Sequence, residues 1–383
     1  MLKGPFIKMS KKTALLSGFA GLVIILLISF ITLQQSHKPE KVIKKFEDAV
    51  KQKDTKVLKE IIIPDDKKAI VKKGTLTALI NYLNANNNSY QVIKDGLNEQ
   101  IKDKNYSSSS EQISLIEDGK DMGIFPVYKL KVKTVALKVS GQNDEDKIAL
   151  HVKGLDESLD KMKEEEAYGP LLPGEYKLET AVKNQLGVFK QEEKIDVWGN
   201  PQVTVLVDPE KLARENDAVN EDIMKTTVIF NENLSKFTTS GLDAESFTHS
   251  TQEFKEDFVG TDDYFQQIKT EIDEIQSQYL GSVINQGEMD ISYFDGQWEA
   301  DVEAIVEYNE KIKIKGTKEF QDFASQALRK YNLIYDKEQN KWLIDSIEDI
   351  LSDGSETDYW EKKKELKEKD PAVNTWNGKG TSI

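Results

Sequence analysis

The chain has no cysteine, three histidines and, among 52 basic residues, only two arginines, Arg214 and Arg329. Without cysteine there are no disulfides, no thiolate metal sites and no cysteine nucleophile. With two guanidinium groups, bidentate recognition of phosphate is almost unavailable. Acidic residues number 67 and the net charge is −15, so nucleic acid is not a partner. Long apolar runs are also scarce: one charge-free stretch, residues 13–33, stands in a chain that is 31% charged. That composition excludes a protein with many membrane spans.

Charge is unevenly placed. Residues 1–12 carry four Lys and no acid, residues 34–207 are balanced at 28 of each sign, and residues 208–350 hold 14 basic against 32 acidic groups. The sequence therefore predicts two bodies of different character behind one anchor.

Residues 13–33, centred on Gly21-Leu-Val-Ile-Ile-Leu-Leu-Ile-Ser-Phe30, would span about 31 Å as a helix, enough for the hydrocarbon core. A cleavable signal peptide is the competing reading. Its apolar region is shorter and ends in a small-residue cleavage site, which Ile31-Thr-Leu-Gln-Gln-Ser36 does not supply. Lys3, Lys8, Lys11 and Lys12 favour a cytoplasmic N-terminus, although residues 38–73 hold 12 Lys against seven acids. The expectation is a single-pass anchor in lipid, a cytoplasmic basic tail at 1–12, and an extracytoplasmic remainder that does without disulfides.

Beyond the anchor, Pro39–Ile63 reads as helical, with Val42, Phe46, Ala49 and Val50 on one stripe and a turn at Asp54-Thr55. Helices are expected at 76–83 and 90–101, completing a helical membrane-proximal domain over 34–106. Its Lys excess suits either anionic head groups or a solvated stalk. From 107 to 208 the period becomes two: Tyr128, Leu130, Val132; Ile148, Leu150, Val152; Tyr176, Leu178, Thr180, Val182; Val203, Val205, Val207. These predict a small β-sandwich-like domain. Over 209–350 the pattern is α+β. A helix is expected at 223–237. A second begins at Thr261-Asp-Asp-Tyr264, with Phe265, Ile268, Ile272, Ile275 and Tyr279 as its stripe. Trp298 to Ile314 then places apolar residues at even positions of a long half-buried strand, bent or broken near Asn309-Glu310. Residues 331–335 and 342–347 form a closing hairpin. Helices followed by a curved antiparallel sheet make an α+β cone. Residues 351–383 read as a charged flexible tail.

The stretch Tyr168-Gly-Pro-Leu-Leu-Pro-Gly-Glu-Tyr176, Lys190 to Val197, and Phe46-Glu-Asp-Ala-Val50 with Asp54-Thr55 resemble the TcaA family of Gram-positive membrane proteins, named for teicoplanin resistance. The resemblance implies that the helical membrane-proximal part, 34–106, is that family's second domain and that 212–350 form its nuclear transport factor 2-like cone. It implies a role at the cell envelope, in wall-polymer assembly or the glycopeptide antibiotic response. Many relatives begin with a zinc ribbon of two Cys-x-x-Cys pairs; a chain without cysteine does not carry it, so zinc is not transferred.

Chemical candidates are few. Ser158-Leu-Asp-Lys161 matches Ser-x-x-Lys, but Lys315-Gly-Thr317 and Lys379-Gly-Thr381 invert the Lys-Thr-Gly element that chemistry needs. His37, His151 and His249 lack a second histidine at ligand spacing. His249 would lie near the roof of the cone, where a histidine with a carboxylate can move protons. Glu299, Asp301, Glu303 and Glu307 share one strand face, a solvated face or a hard-cation row. No residue is assigned a catalytic, cofactor-binding or metal-binding role. The reading is a non-enzymatic envelope protein whose partner is a cell-wall polymer or another envelope protein. A ligand-binding or catalytic cone, and an accessory subunit of a membrane protein, are the alternatives.

Overall fold

Asp54 decides the start of the fold: its Oδ1 accepts from the Lys56 and Val57 amides at 2.9 and 3.1 Å, ending one helix and capping the next. The computed structural model describes residues 37–107, 109–156, 158–162, 166–259, 262–367 and 369–378, with 30, 32, 34 and 35 upstream. The expected membrane span at 13–33 lies outside these residues except for Phe30 and Thr32. Among the described residues no helix is long and apolar enough to cross a membrane.

Two compact units divide the chain. The first runs through Ser140 and adds Ala149–Thr180 and Glu192–Leu206; the second takes Gly141–Ile148, Ala181–Gln191 and everything from Val207.

In the first unit, α1 (Pro39–Gln52), α2 (Thr55–Ile61), α3 (Lys73–Ala85) and α4 (Asn87–Asp103) bury one apolar face each. Phe46, Leu58, Leu79 and Leu97 meet there. The same core takes in Ile113 and Leu115 of β2 (Ile113–Asp121) and Leu130 and Val132 of β3 (Phe125–Val132). β3 also pairs in parallel with β1 (Ile62–Pro64), directly after α2. The boundary expected at residue 107 therefore moves: the first two long strands bury their apolar faces on the helices, and the helical domain extends through about 132.

The following β region forms two small sheets. One has the order β10 (Gln202–Leu206), β4 (Val135–Ser140), β7 (Ala167–Leu171), β6 (Lys161–Met162). The other has the order β5 (Lys147–Val152), β8 (Gly174–Asn184), β9 (Gly187–Val197). Gly174 is required where β8 begins: a Cβ there would stand 2.6 Å from the Ala78 carbonyl carbon of α3. Tyr176, buried, donates to the Leu172 carbonyl at 2.6 Å, and burial pushes its phenol well up.

The second unit begins with α5 (Pro209–Arg214), capped by Asp208, and α6 (Asp217–Thr239), capped by Asn216. Then come α7 (Gln252–Val259) and α8 (Asp262–Ile268). The sheet is antiparallel, in the order β16 (Lys341–Leu351), β15 (Ser325–Asp336), β13 (Gln297–Ile314), β11 (Ile272–Asn285), β17 (Lys363–Lys367). Short strands β12 (Asp290–Phe294) and β14 (Gln321–Asp322) pair with β13. Ile223, Phe230 and Phe237 of α6 share a core with Tyr279, Trp298, Val302, Tyr331 and Ile344.

Three expectations change here. The stripe Ile272, Ile275, Tyr279 belongs to strand β11 and not to a helix. A register shift between Ile272 and Glu274 puts a three-residue spacing on one face, which imitates helical periodicity. β13 passes Asn309-Glu310 without a break. The segment after 350, expected as a flexible tail, supplies β17 and β18 (Asn374–Asn377), both paired with β11. Those strands pair with nine of the 14 residues of β11, along an edge that would otherwise be open. Gly281 of β11 accepts them: a Cβ there would meet the Leu366 oxygen at 2.6 Å.

Candidate functional site

The inner face of β15 carries Arg329, Tyr331, Leu333 and Tyr335 in strand alternation. Arg329 is 4% exposed. Its Nε and Nη2 donate to the two Asp349 oxygens at 2.6 and 2.7 Å, and its Nη1 donates to Asn231 Oδ1 at 2.8 Å and the Tyr308 hydroxyl at 3.1 Å. The Tyr331 hydroxyl lies 2.8 Å from Asn231 Nδ2, closing the network against α6. Burial works against the guanidinium charge, yet Tyr308, Asp349 and Tyr331 outweigh it and hold the pKa above the usual value. Burial drives the Tyr308 and Tyr331 phenols up despite the facing cation. Glu310 is raised by burial, and only partly restored by the Ser277 hydroxyl and Arg329. Trp298, Tyr279 and Tyr308 fill the remaining interior. These groups are satisfied by one another, so the network organises the cone instead of presenting a reactive atom. Phe265 packs apart from them, with Ile272, Ile275 and Trp376.

His249 sits on the cone. Its Nδ1 is 3.0 Å from Thr248 Oγ1, and Thr248 in turn receives Asn233 Nδ2 at 2.9 Å. Burial lowers its pKa, and Lys341 and Lys225 lower it further. Two cations stand where proton transfer would need a carboxylate. The acidic row is met by amides: Asn332 donates to Asp301, Asn285 to Glu303 and Gln326 to Glu307, at 3.1, 3.2 and 3.1 Å. Lys330 pairs in register with Glu303 on one side and Glu348 on the other. Among the described residues no three His, Asp or Glu side chains are arranged to hold a metal ion.

In the first unit, Ser158 Oγ lies 2.9 Å from His151 Nε2 in an isolated bridge. The chain from Ser158 to Lys161 is non-helical, so the one-turn helical geometry that sets a Ser-x-x-Lys pair on one face is not present. His37 Nε2 is 3.1 Å from Asp121 Oδ2, and its ring stacks on Phe125.

The site that sequence reasoning missed is a groove of about 670 Å³ in this unit. Trp198 forms one wall, stacked on Tyr82 with ring centres 4.3 Å apart. Asn88 and Ser89 from the start of α4, and Asn200 from the turn before β10, line it with uncharged donors and acceptors. Its charged groups are partly engaged. Asp65 Oδ1 accepts from the Thr134 amide and hydroxyl at 2.8 and 2.7 Å, and Lys133 donates to the Ser110 carbonyl. Gln112 braces the rim, accepting from the Gly199 amide and donating to the Lys133 carbonyl. A signal existed: Trp198-Gly-Asn-Pro201 joins an aromatic to turn residues, but the groove's other walls lie 60 to 130 residues away in sequence.

Two family descriptions match. Residues 39–132 match the TcaA protein second domain, ending where β3 ends, and residues 223–348 match the YvbJ NTF2-like domain. The chain is 24% identical over 196 residues to "Uncharacterized membrane protein YvbJ" of Bacillus subtilis (strain 168). That match covers 51% of this chain and spans about a third, 31%, of the relative's length. Among solved structures, the intermembrane space region of chloroplast protein ARC6 is 12% identical and covers 36% of this chain and 99% of that one. Its TM-score of 0.26 carries no argument. A match to the TcaA second domain, followed by a match to the YvbJ NTF2-like domain, supports a TcaA/YvbJ-type family for this chain.

Proposed function

We propose that the protein is a non-enzymatic, single-pass envelope protein, with a cytoplasmic N-terminus, that holds its bulk outside the membrane and binds wall glycan. The observation that carries this reading is the Trp198 groove: an indole wall, carboxamides and a hydroxyl, with Asp65 and Lys133 engaged internally. An apolar face with convergent neutral polar groups suits an amino sugar, whose ring has one apolar face and a rim of hydroxyl and acetamido groups. A phosphate polymer such as teichoic acid would face Glu111 and Asp65, and, among the described residues, the one cation lining the groove, Lys133, is held by the Ser110 carbonyl. The membrane-protein relative supports the location. In the cone, the self-satisfied interior supports a structural or protein-contact role. A role in the glycopeptide antibiotic response would follow from occupancy of the glycan.

The test is co-sedimentation of the full chain in detergent with isolated sacculi. Retention that survives removal of teichoic acid is expected. No retention at low or moderate salt would contradict the reading and favour a protein partner in the membrane.

A further inference from the structure

β2 and β3 are joined through Met122-Gly123, with the Ile124 amide donating to the Asp121 carbonyl at 3.1 Å. Both central residues have positive φ, 49° and 74°. This type I′ geometry favours Asn, Asp or Gly, because a Cβ in the left-handed region crowds the backbone. Methionine stands there instead and is 71% exposed; Ile124 is 65% exposed. A large apolar side chain placed against local preference and left in water has a reason outside the local fold.

The neighbouring contacts locate that reason. Phe125, buried beside the tip, has its ring 5.3 Å from Phe30 and 5.1 Å from His37. Phe30 lies within the charge-free stretch 13–33, three residues from its outer end. The tip is thus held beside the end of the anchor, at the depth of the head-group boundary. The acids flanking it are paired, Asp121 with His37 at 3.1 Å and Asp118 with Lys129 at 3.5 Å, while Lys120 is exposed.

We infer that the tip Met122–Ile124 inserts into the outer leaflet beside the chain's own anchor, making the lipid surface its partner and fixing the first unit against the membrane. Met122 and Ile124 enter the acyl boundary, and Lys120 reaches a lipid phosphate. The inference rests on residues 13–33 being a membrane anchor.

The absence of native cysteine permits a direct test. Met122→Cys, Ile124→Cys and, as a comparably exposed control, Val188→Cys (57% exposed in the wild type) are spin-labelled in the full chain. Each is reconstituted in phosphatidylcholine/phosphatidylglycerol vesicles, and collision with oxygen and with a water-soluble nickel chelate is compared. Carbonate extraction of the same vesicles reports the anchor separately. The expected result is an oxygen-to-nickel ratio at 122 and 124 at least threefold above that at 188, in carbonate-resistant protein. A ratio at the tip equal to the control in carbonate-resistant protein overturns the insertion and leaves the anchor standing. Equal ratios in protein that carbonate removes overturn both.

Discussion

Arg329 is the residue on which the cone turns. Its guanidinium makes four hydrogen bonds, to Asp349, Asn231 and Tyr308, and removing it would leave buried acceptors without a partner. Arg329→Ala should lower the unfolding free energy by about 3 kcal/mol in a urea titration. Asp349 is 45% exposed, which keeps the loss below that of a fully buried pair. Arg329→Lys should recover little, because one ammonium does not reproduce the two-pronged contact with Asp349. Glu310 gives the pH counterpart. Burial raises its pKa, so its stabilising contribution is present below the usual carboxylate range and is lost as pH rises through the raised folded value. Glu310→Gln should match the wild type near pH 4 and become more stable than it toward pH 7, as read by thermal melts at both pH values. At Met122 the backbone itself is the test: Met122→Asn relieves the left-handed strain and should raise stability in detergent by roughly 1 kcal/mol.

At the scale of elements, much was legible because the periods were clean. Val42, Phe46, Ala49 and Val50 announced α1, and the even positions from Trp298 to Tyr308 announced β13. Where legibility failed, a local irregularity or a distant partner was responsible. The register shift after Ile272 disguised β11 as a helix. The charged run at 361–370 concealed β17 because an edge strand keeps Lys and Glu on its solvent side and needs only Leu366 toward the core. Those strands have a measurable role. Truncation after Gly354 would strip Leu366 and Trp376 from the sheet and leave β11 as an open edge. The truncated chain should lose about 2–4 kcal/mol of stability, and light scattering should show concentration-dependent aggregation. A monodisperse product of unchanged melting temperature would show that the edge needs no cover.

On the scale of the molecule, charge and site divide the labour. The balanced residues 34–207 contain the Trp198 groove, while 208–350 carry the acidic excess and the self-satisfied cone. The two-body charge plan was plain from composition. The groove was not, since Asn88, Gln112, Thr134 and Asn200 are brought together only by packing of α4, the segment before β2 and the turn before β10. At physiological salt the acidic excess acts over only about 8 Å, so the proposed wall binding would depend on contact in the groove and not on long-range attraction. The most direct measurement compares full-length wild type with Trp198→Ala and Asn200→Ala on teichoic-acid-free sacculi. The account predicts at least tenfold weaker retention for both variants, with the circular dichroism spectrum unchanged for Asn200→Ala. Wild-type retention by both variants would contradict it.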